Sequence, residues 1–190
     1  MLIEKNNFIT HEDCDELIRI SENKFVNAKT LGHSKDYRIA LHTWLDNNEP
    51  ISVKLKEFAS IETGLPVSNM EMINIVKYEI GGEYKEHHDF FHPGEDYYEA
   101  ECLRGGQRVK SVLFYLNGDF EGGQTDFPRL NIRVEPVKSK VIIWDNIKED
   151  GSLDYDTIHS GLPVTSGTKY IATIWIRENE FGVKIPVVYS

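Results

Sequence analysis

Gln107-Arg108-Val109-Lys110-Ser111-Val112-Leu113-Phe114-Tyr115-Leu116-Asn117-Gly118-Asp119 is the stretch on which the fold turns. It reads as a strand, rich in β-branched and aromatic residues, and Asn117-Gly118-Asp119 closes it with a turn. Its core, 112–116, is the longest strictly apolar run of the chain and far too short to cross a bilayer. Glu121-Gly122-Gly123 turns the chain again. Upstream, 70–79 is strand-like and ends at Gly81-Gly82. Downstream, 131–135, 140–144, 155–163 and 168–178 repeat the pattern. Short strands at close spacing, with no crossover helix between them, predict an antiparallel sandwich or barrel.

The N-terminal third reads differently. Thr10 followed by Asp13 has the form of a helix cap, and Glu12 and Asp13 suit the positive end of a helix dipole. Cys14, Leu17, Ile18 and Phe25 then fall on roughly one helical face. A second helix is expected from about Asn48, with Pro50 in its first turn and a stop at Gly64 before Pro66. Residues 38–45 between them are a candidate strand. Pro186 argues against a helix continuing into the tail. The expected fold class is therefore α+β, mainly β, with N-terminal helices packed on a β core. No repeat, low-complexity run or linker divides the chain. We expect one domain over 1–190, with a helical preface at 1–67 and the β core at 68–180.

The chain has 190 residues, 40% of them hydrophobic and 11% aromatic, which is globular and not disordered. Its net charge of −10 leaves no global basic footprint for nucleic acid and would suit a basic peptide. The two cysteines, Cys14 and Cys102, form no Cys-x-x-Cys, so no cysteine-based zinc site or redox motif is expected. The N-terminus has no apolar signal segment, and a reducing, cytoplasmic compartment is the expectation.

Chemistry-bearing residues concentrate in His87-His88-Asp89-Phe90-Phe91-His92. The period of a strand puts His87 and Asp89 on one face and His88 on the other. A helix would pair His88 with His92 instead, but Gly81-Gly82 before and Pro93-Gly94 after oppose one. His159, in the strand-rich half, is a candidate third ligand. Two histidines and one carboxylate with open positions make the facial arrangement of non-haem Fe(II) oxygenases. Taken singly these signals are weak, because His-x-Asp is common and His159 also reads as an ordinary polar strand residue. Lys169 adds to them. Strand alternation puts it on one face with Ile171, Thr173, Trp175 and Arg177. A solvent face is one reading, but Ile171 and Trp175 are poor solvent residues. A buried lysine needs an anionic partner, and a dicarboxylic cosubstrate would supply it.

Taken together, these motifs resemble the prolyl 4-hydroxylases. Tyr78-Glu79-Ile80-Gly81-Gly82-Glu83-Tyr84-Lys85-Glu86-His87-His88-Asp89 is similar to the metal-binding stretch of that family. The segment 105–128, ending Gly122-Gly123-Gln124-Thr125-Asp126-Phe127-Pro128, is similar to its central strand and hairpin. Thr157-Ile158-His159-Ser160-Gly161-Leu162-Pro163-Val164, then Gly167-Thr168-Lys169, resemble its distal metal motif and cosubstrate lysine. Order and spacing match over about 70–178.

The resemblance implies a double-stranded β-helix (jelly-roll, cupin-like) core. It also implies dependence on Fe(II), O2 and 2-oxoglutarate, with ascorbate as a candidate reductant. The implied reaction hydroxylates an unactivated C–H, C4 of peptidyl proline first among them, as 2-oxoglutarate is decarboxylated to succinate and CO2. Carried over by position, His87, Asp89 and His159 hold the iron and Lys169 pairs with the far carboxylate of 2-oxoglutarate. Tyr78 and Thr125 assist Lys169, while Tyr84, Arg108 and Trp175 line the side that takes a proline-containing peptide or protein. The stretch 91–106 lacks strand alternation and is expected to form a mobile lid. Two departures stand out: Arg177, where relatives often carry histidine, and Trp144-Asp145-Asn146 with the polar stretch after it. The same chemistry on another residue, a small molecule or a nucleobase is the alternative, with nucleobases disfavoured by the missing basic stripe. A non-catalytic jelly-roll binding module would have no reason to keep both the triad and Lys169.

Overall fold

The computed structural model describes residues 1–29 and 37–182. His33 and Pro186 lie outside the described residues. Strand β1, Leu2–Lys5, opens the chain, and helix α1, His11–Ser21, follows. Thr10 caps α1 through a reciprocal box: its hydroxyl accepts from the Asp13 N–H, and the Asp13 carboxylate accepts from the Thr10 N–H. Strands β2 (Val26–Asn27), β3 (Arg38–Ile39) and β4 (Leu41–Trp44) lead to helix α2, Pro50–Thr63. Proline starts α2, and Gly64 ends it in the left-handed region at φ 70°. Both expected helices form, but the preface is only partly helical, since its strands join the sheets of the core.

Ten strands and one short helix follow among the described residues: β5 (Asn74–Tyr78), β6 (Glu83–His87), α3 (Tyr98–Cys102), β7 (Arg108–Tyr115), β8 (Glu121–Gly122), β9 (Thr125–Phe127), β10 (Ile132–Val134), β11 (Val141–Asp145), β12 (His159–Gly161), β13 (Val164–Ser166) and, last, β14 (Lys169–Arg177). The expected strand at 155–163 is shorter than its sequence suggests, because Tyr155–Thr157 winds into a 3-10 turn held by the Asp154 carboxylate. Every strand pairing among the described residues is antiparallel. The major sheet runs β1-β11-β7-β14-β5-β4-β2, the minor sheet β10-β9-β12-β6-β3, and β8 pairs with β13. Two antiparallel sheets facing each other make the double-stranded β-helix.

Alternation along β7 and β14 divides the core into two layers. Val112, Phe114, Leu116, Ala172, Ile174 and Ile176 face α1 and α2, where Cys14, Leu17, Leu55 and Ala59 meet them. Leu113, Tyr115 and Ile171, with Trp144 of β11, face the minor sheet and meet its Phe127 and Val134. The 112–116 run is apolar throughout because both of its faces are buried. Cys14 and Cys102 are free thiols. Burial in the helix-facing layer pushes the Cys14 thiol up to about 11.

Candidate active site

His87 ends β6 and His159 begins β12, and the two are direct cross-strand partners. Asp89 lies just past the end of β6, where the chain bends back over the sheet. The carboxylate oxygen Oδ1 of Asp89 stands 3.7 Å from His87 Nε2 and 3.8 Å from His159 Nε2. One ligand atom from each of the three lies within 4.8 Å of the others, and all three side chains are buried. Each imidazole is aimed by its own backbone: His87 Nδ1 bonds the Lys85 carbonyl at 2.8 Å, and His159 Nδ1 bonds the Thr157 carbonyl at 3.0 Å. Those bonds put the proton on Nδ1 and leave the Nε2 lone pairs free. Burial, with His159 adding to it, holds His87 well below its ordinary pKa, so it is neutral and able to ligate. Tyr84 stacks on His87 with ring centroids 3.4 Å apart, while Phe127 and Trp144 pack on His159. Two nitrogens and one carboxylate oxygen in a closed hydrophobic frame suit Fe(II).

Deeper between the sheets, Lys169 begins β14 opposite Tyr78 on β5. It is 2% exposed. Its ammonium donates to the Gly123 carbonyl at 2.6 Å and lies 5.1 Å from the Tyr78 ring centre. No carboxylate among the described residues offsets its charge, and burial pushes it down to about 7. Gly123 sits at φ 66°, and a Cβ there would come 2.9 Å from the lysine Cδ, so only glycine fits. Thr125 on β9 meets Tyr115 on β7, hydroxyl to hydroxyl at 2.6 Å. Lys169, Tyr78 and Thr125, expected together from the sequence, share this layer. Tyr115 was not singled out, since it sits inside an apolar run that reads as core.

A cleft of about 740 Å³ opens above the triad and is lined by Arg38, Trp44, Tyr84, Arg108 and Trp175, among others. Arg108 lies over Trp175, 4.0 Å from guanidinium to ring centre. It is held from behind by Glu71, at 2.6 and 2.9 Å. Arg38 covers the outer face of Tyr84 at 4.7 Å. All three sequence-expected cleft residues reach this wall. Arg38 and Glu71 join them without having been singled out, for a lone charged residue at a strand start or in a loop carries no pattern.

The comparisons with known proteins agree with this geometry. Residues 73–177 match the family model of the 2OG-Fe(II) oxygenase superfamily. The chain is 32% identical over 199 residues to prolyl 4-hydroxylase 1 of Arabidopsis thaliana, covering 93% of this chain and 69% of that one. With prolyl 4-hydroxylase 5 of the same plant it shares 30% over 205 residues, covering 94% and 68%. This chain belongs to the prolyl 4-hydroxylase family. Among solved structures it resembles a viral collagen prolyl hydroxylase from Paramecium bursaria Chlorella virus 1 in its 2-oxoglutarate complex. The TM-score is 0.73 at 29% identity, covering 93% of this chain and 95% of that one. As a member of this family it is a 2-oxoglutarate-dependent dioxygenase that works with Fe(II), O2 and 2-oxoglutarate. No helix among the described residues is long and apolar enough to cross a membrane.

Position 177, the departure from the prolyl 4-hydroxylase pattern, is fully buried. Arg177 bonds Glu71 at 2.6 Å, the Glu101 carboxylate at 3.1 Å, and the carbonyls of Glu101 and Gly106. The expected lid stretch thus carries helix α3 and is fastened at its base. Gln107 closes the same base by bonding both the N–H and the carbonyl of Phe91. Burial opposes the charged form of Glu71, but Arg108 and Arg177 overcome it and hold the carboxyl below its ordinary value. Glu71→Ala would leave two buried guanidiniums without their shared counter-ion. We expect it to cost about 3–5 kcal/mol of stability, read as a lower midpoint in urea unfolding.

Proposed function

We propose that this protein hydroxylates proline, at C4, in a peptide or protein substrate, with His87, Asp89 and His159 as iron ligands. Lys169, with Tyr78 and Thr125 beside it, takes the far carboxylate of 2-oxoglutarate. Tyr84, Arg108 and Trp175 receive the peptide. The observation that carries this reading is the pairing of a two-histidine, one-carboxylate cluster with a separate buried ammonium that lacks a carboxylate. A dicarboxylate taken by a metal held at the cluster and paired with Lys169 would answer both. Proline as the target is supported by the names of the relatives, and a peptide by the shape of an open cleft walled by aromatic and guanidinium groups.

Bound iron supplies the activation of O2 and the decarboxylation of 2-oxoglutarate. The protein does the rest. His87 and His159 offer Nε2 atoms held in place by their Nδ1 bonds, and the Asp89 carboxylate adds an oxygen ligand. Lys169 neutralises a carboxylate in a layer closed to water, where the pair is strong. Arg108, over Trp175 and tied to Glu71, presents donors to peptide carbonyls in a set orientation. Phe90 and Phe91, both buried beside the triad, keep solvent from the reacting C–H.

The test is incubation of the Fe(II)-loaded protein with 2-oxoglutarate and a panel of proline-containing peptides, with succinate and peptide mass read together. Peptide-dependent succinate and one added oxygen, recovered as 4-hydroxyproline, is the expected result. Succinate formed with oxygen on another residue would overturn proline as the target and keep the oxygenase.

A further inference from the structure

Ser111 lies in the middle of β7, paired with Trp144 of β11 on one side and Trp175 of β14 on the other. It is a small, fully buried polar residue between two tryptophans. A hydroxyl there must find a partner or cost stability. It finds Asp89: Ser111 Oγ donates to Asp89 Oδ2 at 2.5 Å. Behind it stands Asn146, also fully buried, whose Nδ2 donates to Ser111 Oγ at 2.9 Å. The direction of this chain is set by proton count. Serine has one proton and gives it to the carboxylate, so its oxygen can only accept from Asn146, and the amide nitrogen must face it. Asn146 is itself held by backbone bonds, its N–H to the Val109 carbonyl at 2.8 Å and its carbonyl from the Asp154 N–H at 3.0 Å.

We propose that Asn146 and Ser111 form a positioning relay that occupies Asp89 Oδ2 and thereby presents Oδ1 alone to the metal. Asp89 sits beyond the end of β6, where no ladder bond fixes its side chain, and Oδ1 is the atom equidistant from the two histidine nitrogens. The relay supplies the constraint that the strand does not. With Oδ2 committed to Ser111, Asp89 gives one oxygen and not two, which leaves more of the metal open to 2-oxoglutarate and O2. Neither residue touches a reacting atom, so both act through Asp89. This inference rests on the triad as the metal site.

The test measures Mn(II) affinity by electron paramagnetic resonance, without oxygen or turnover, in wild type, Ser111→Ala, Ser111→Thr and Asn146→Ala. Ser111→Ala is expected to weaken Mn(II) binding by about 10- to 100-fold. Asn146→Ala should weaken it less, since the serine hydroxyl remains. Ser111→Thr, which keeps the hydroxyl, should bind within a few-fold of wild type, a rescue that a loss of packing alone would not show. If Ser111→Ala fails to fold, Ser111→Cys, which keeps the space filled but donates weakly, takes its place with the same expected loss. Wild-type affinity in a folded Ser111→Ala or Ser111→Cys overturns the relay. Failure of the wild-type protein itself to bind Mn(II) would instead overturn the metal site on which the relay depends.

Discussion

Asp89→Ala is expected to abolish peptide oxidation and to lower divalent-metal affinity by ~100-fold or more, since losing a ligand should exceed the loss of its supporting bonds. The carboxylate is the only negative charge in the triad. Without it, two imidazoles with centroids 4.2 Å apart must hold a dication alone. The fold should survive. The substitution leaves the Ser111 hydroxyl without its acceptor, a cost of about 1–3 kcal/mol, while the two histidines keep their bonds to backbone carbonyls. The measurements are succinate release and Mn(II) binding, with circular dichroism as the check on folding. Iron-dependent turnover within tenfold of wild type would remove Asp89 from the ligand set.

Lys169→Ala should separate the cosubstrate from the metal. Removing one partner of a buried charge pair costs about 2–5 kcal/mol, which raises the 2-oxoglutarate requirement by roughly 30-fold to several thousand-fold. Mn(II) affinity should stay near wild type. Unchanged 2-oxoglutarate affinity would sink the carboxylate role. The wild-type protein should add a pH signature. Burial pushes the Lys169 ammonium down to about 7, and a bound carboxylate favours its protonated form. Above pH 7 the free site therefore holds neutral lysine, and binding takes up a proton. Affinity for 2-oxoglutarate should fall by about tenfold per pH unit over that range, while Lys169→Ala shows no such slope. The stability of the unliganded protein runs the other way. An unfolded lysine titrates near ~10.4, so between about 7 and that value the unfolded chain holds the extra proton. Through that window this group's contribution to stability rises with pH.

Much of the scaffold was legible because its signals are local. Thr10 with Asp13, Pro50 and Gly64 act on backbone groups within a turn of themselves; both helices start, and α2 stops, where those residues put them, whereas α1 ends at Ser21, short of the Phe25 that its pattern included. The period of strands β7 and β14 sorted residues between two layers, and it placed Lys169, Trp175 and Arg177 on the inner one. The triad was legible for a mixed reason. His87 and Asp89 are close in sequence, whereas His159 needed the pattern of a family to be chosen from among seven histidines.

What stayed hidden is what depends on partners distant in the chain. Ser111 reaches Asp89 across 22 positions and Asn146 across 35, and Arg177 reaches Glu71 across 106. Each is polar and buried in a place where both faces of a strand or loop are covered, so no contrast of polarity marks it. Tyr115 is concealed in the same way, inside a run whose every side chain is buried. The stretch 91–106 shows the limit from the other side. Its lack of alternation correctly denied it a strand, but the clasp of Arg177, the last residue of β14, on Glu101 of helix α3 joins residues 76 positions apart that no local pattern pairs. The sequence by itself determined most of the elements, their caps and the layer each strand residue faces, because these follow from backbone chemistry and period, while the candidate iron and cosubstrate residues followed from the family resemblance of its motifs. Only the tertiary structure decided which oxygen of Asp89 is free and which carboxylate holds Arg108, because a buried hydrogen bond or ion pair is settled by which groups the packed core brings within 3 Å of each other.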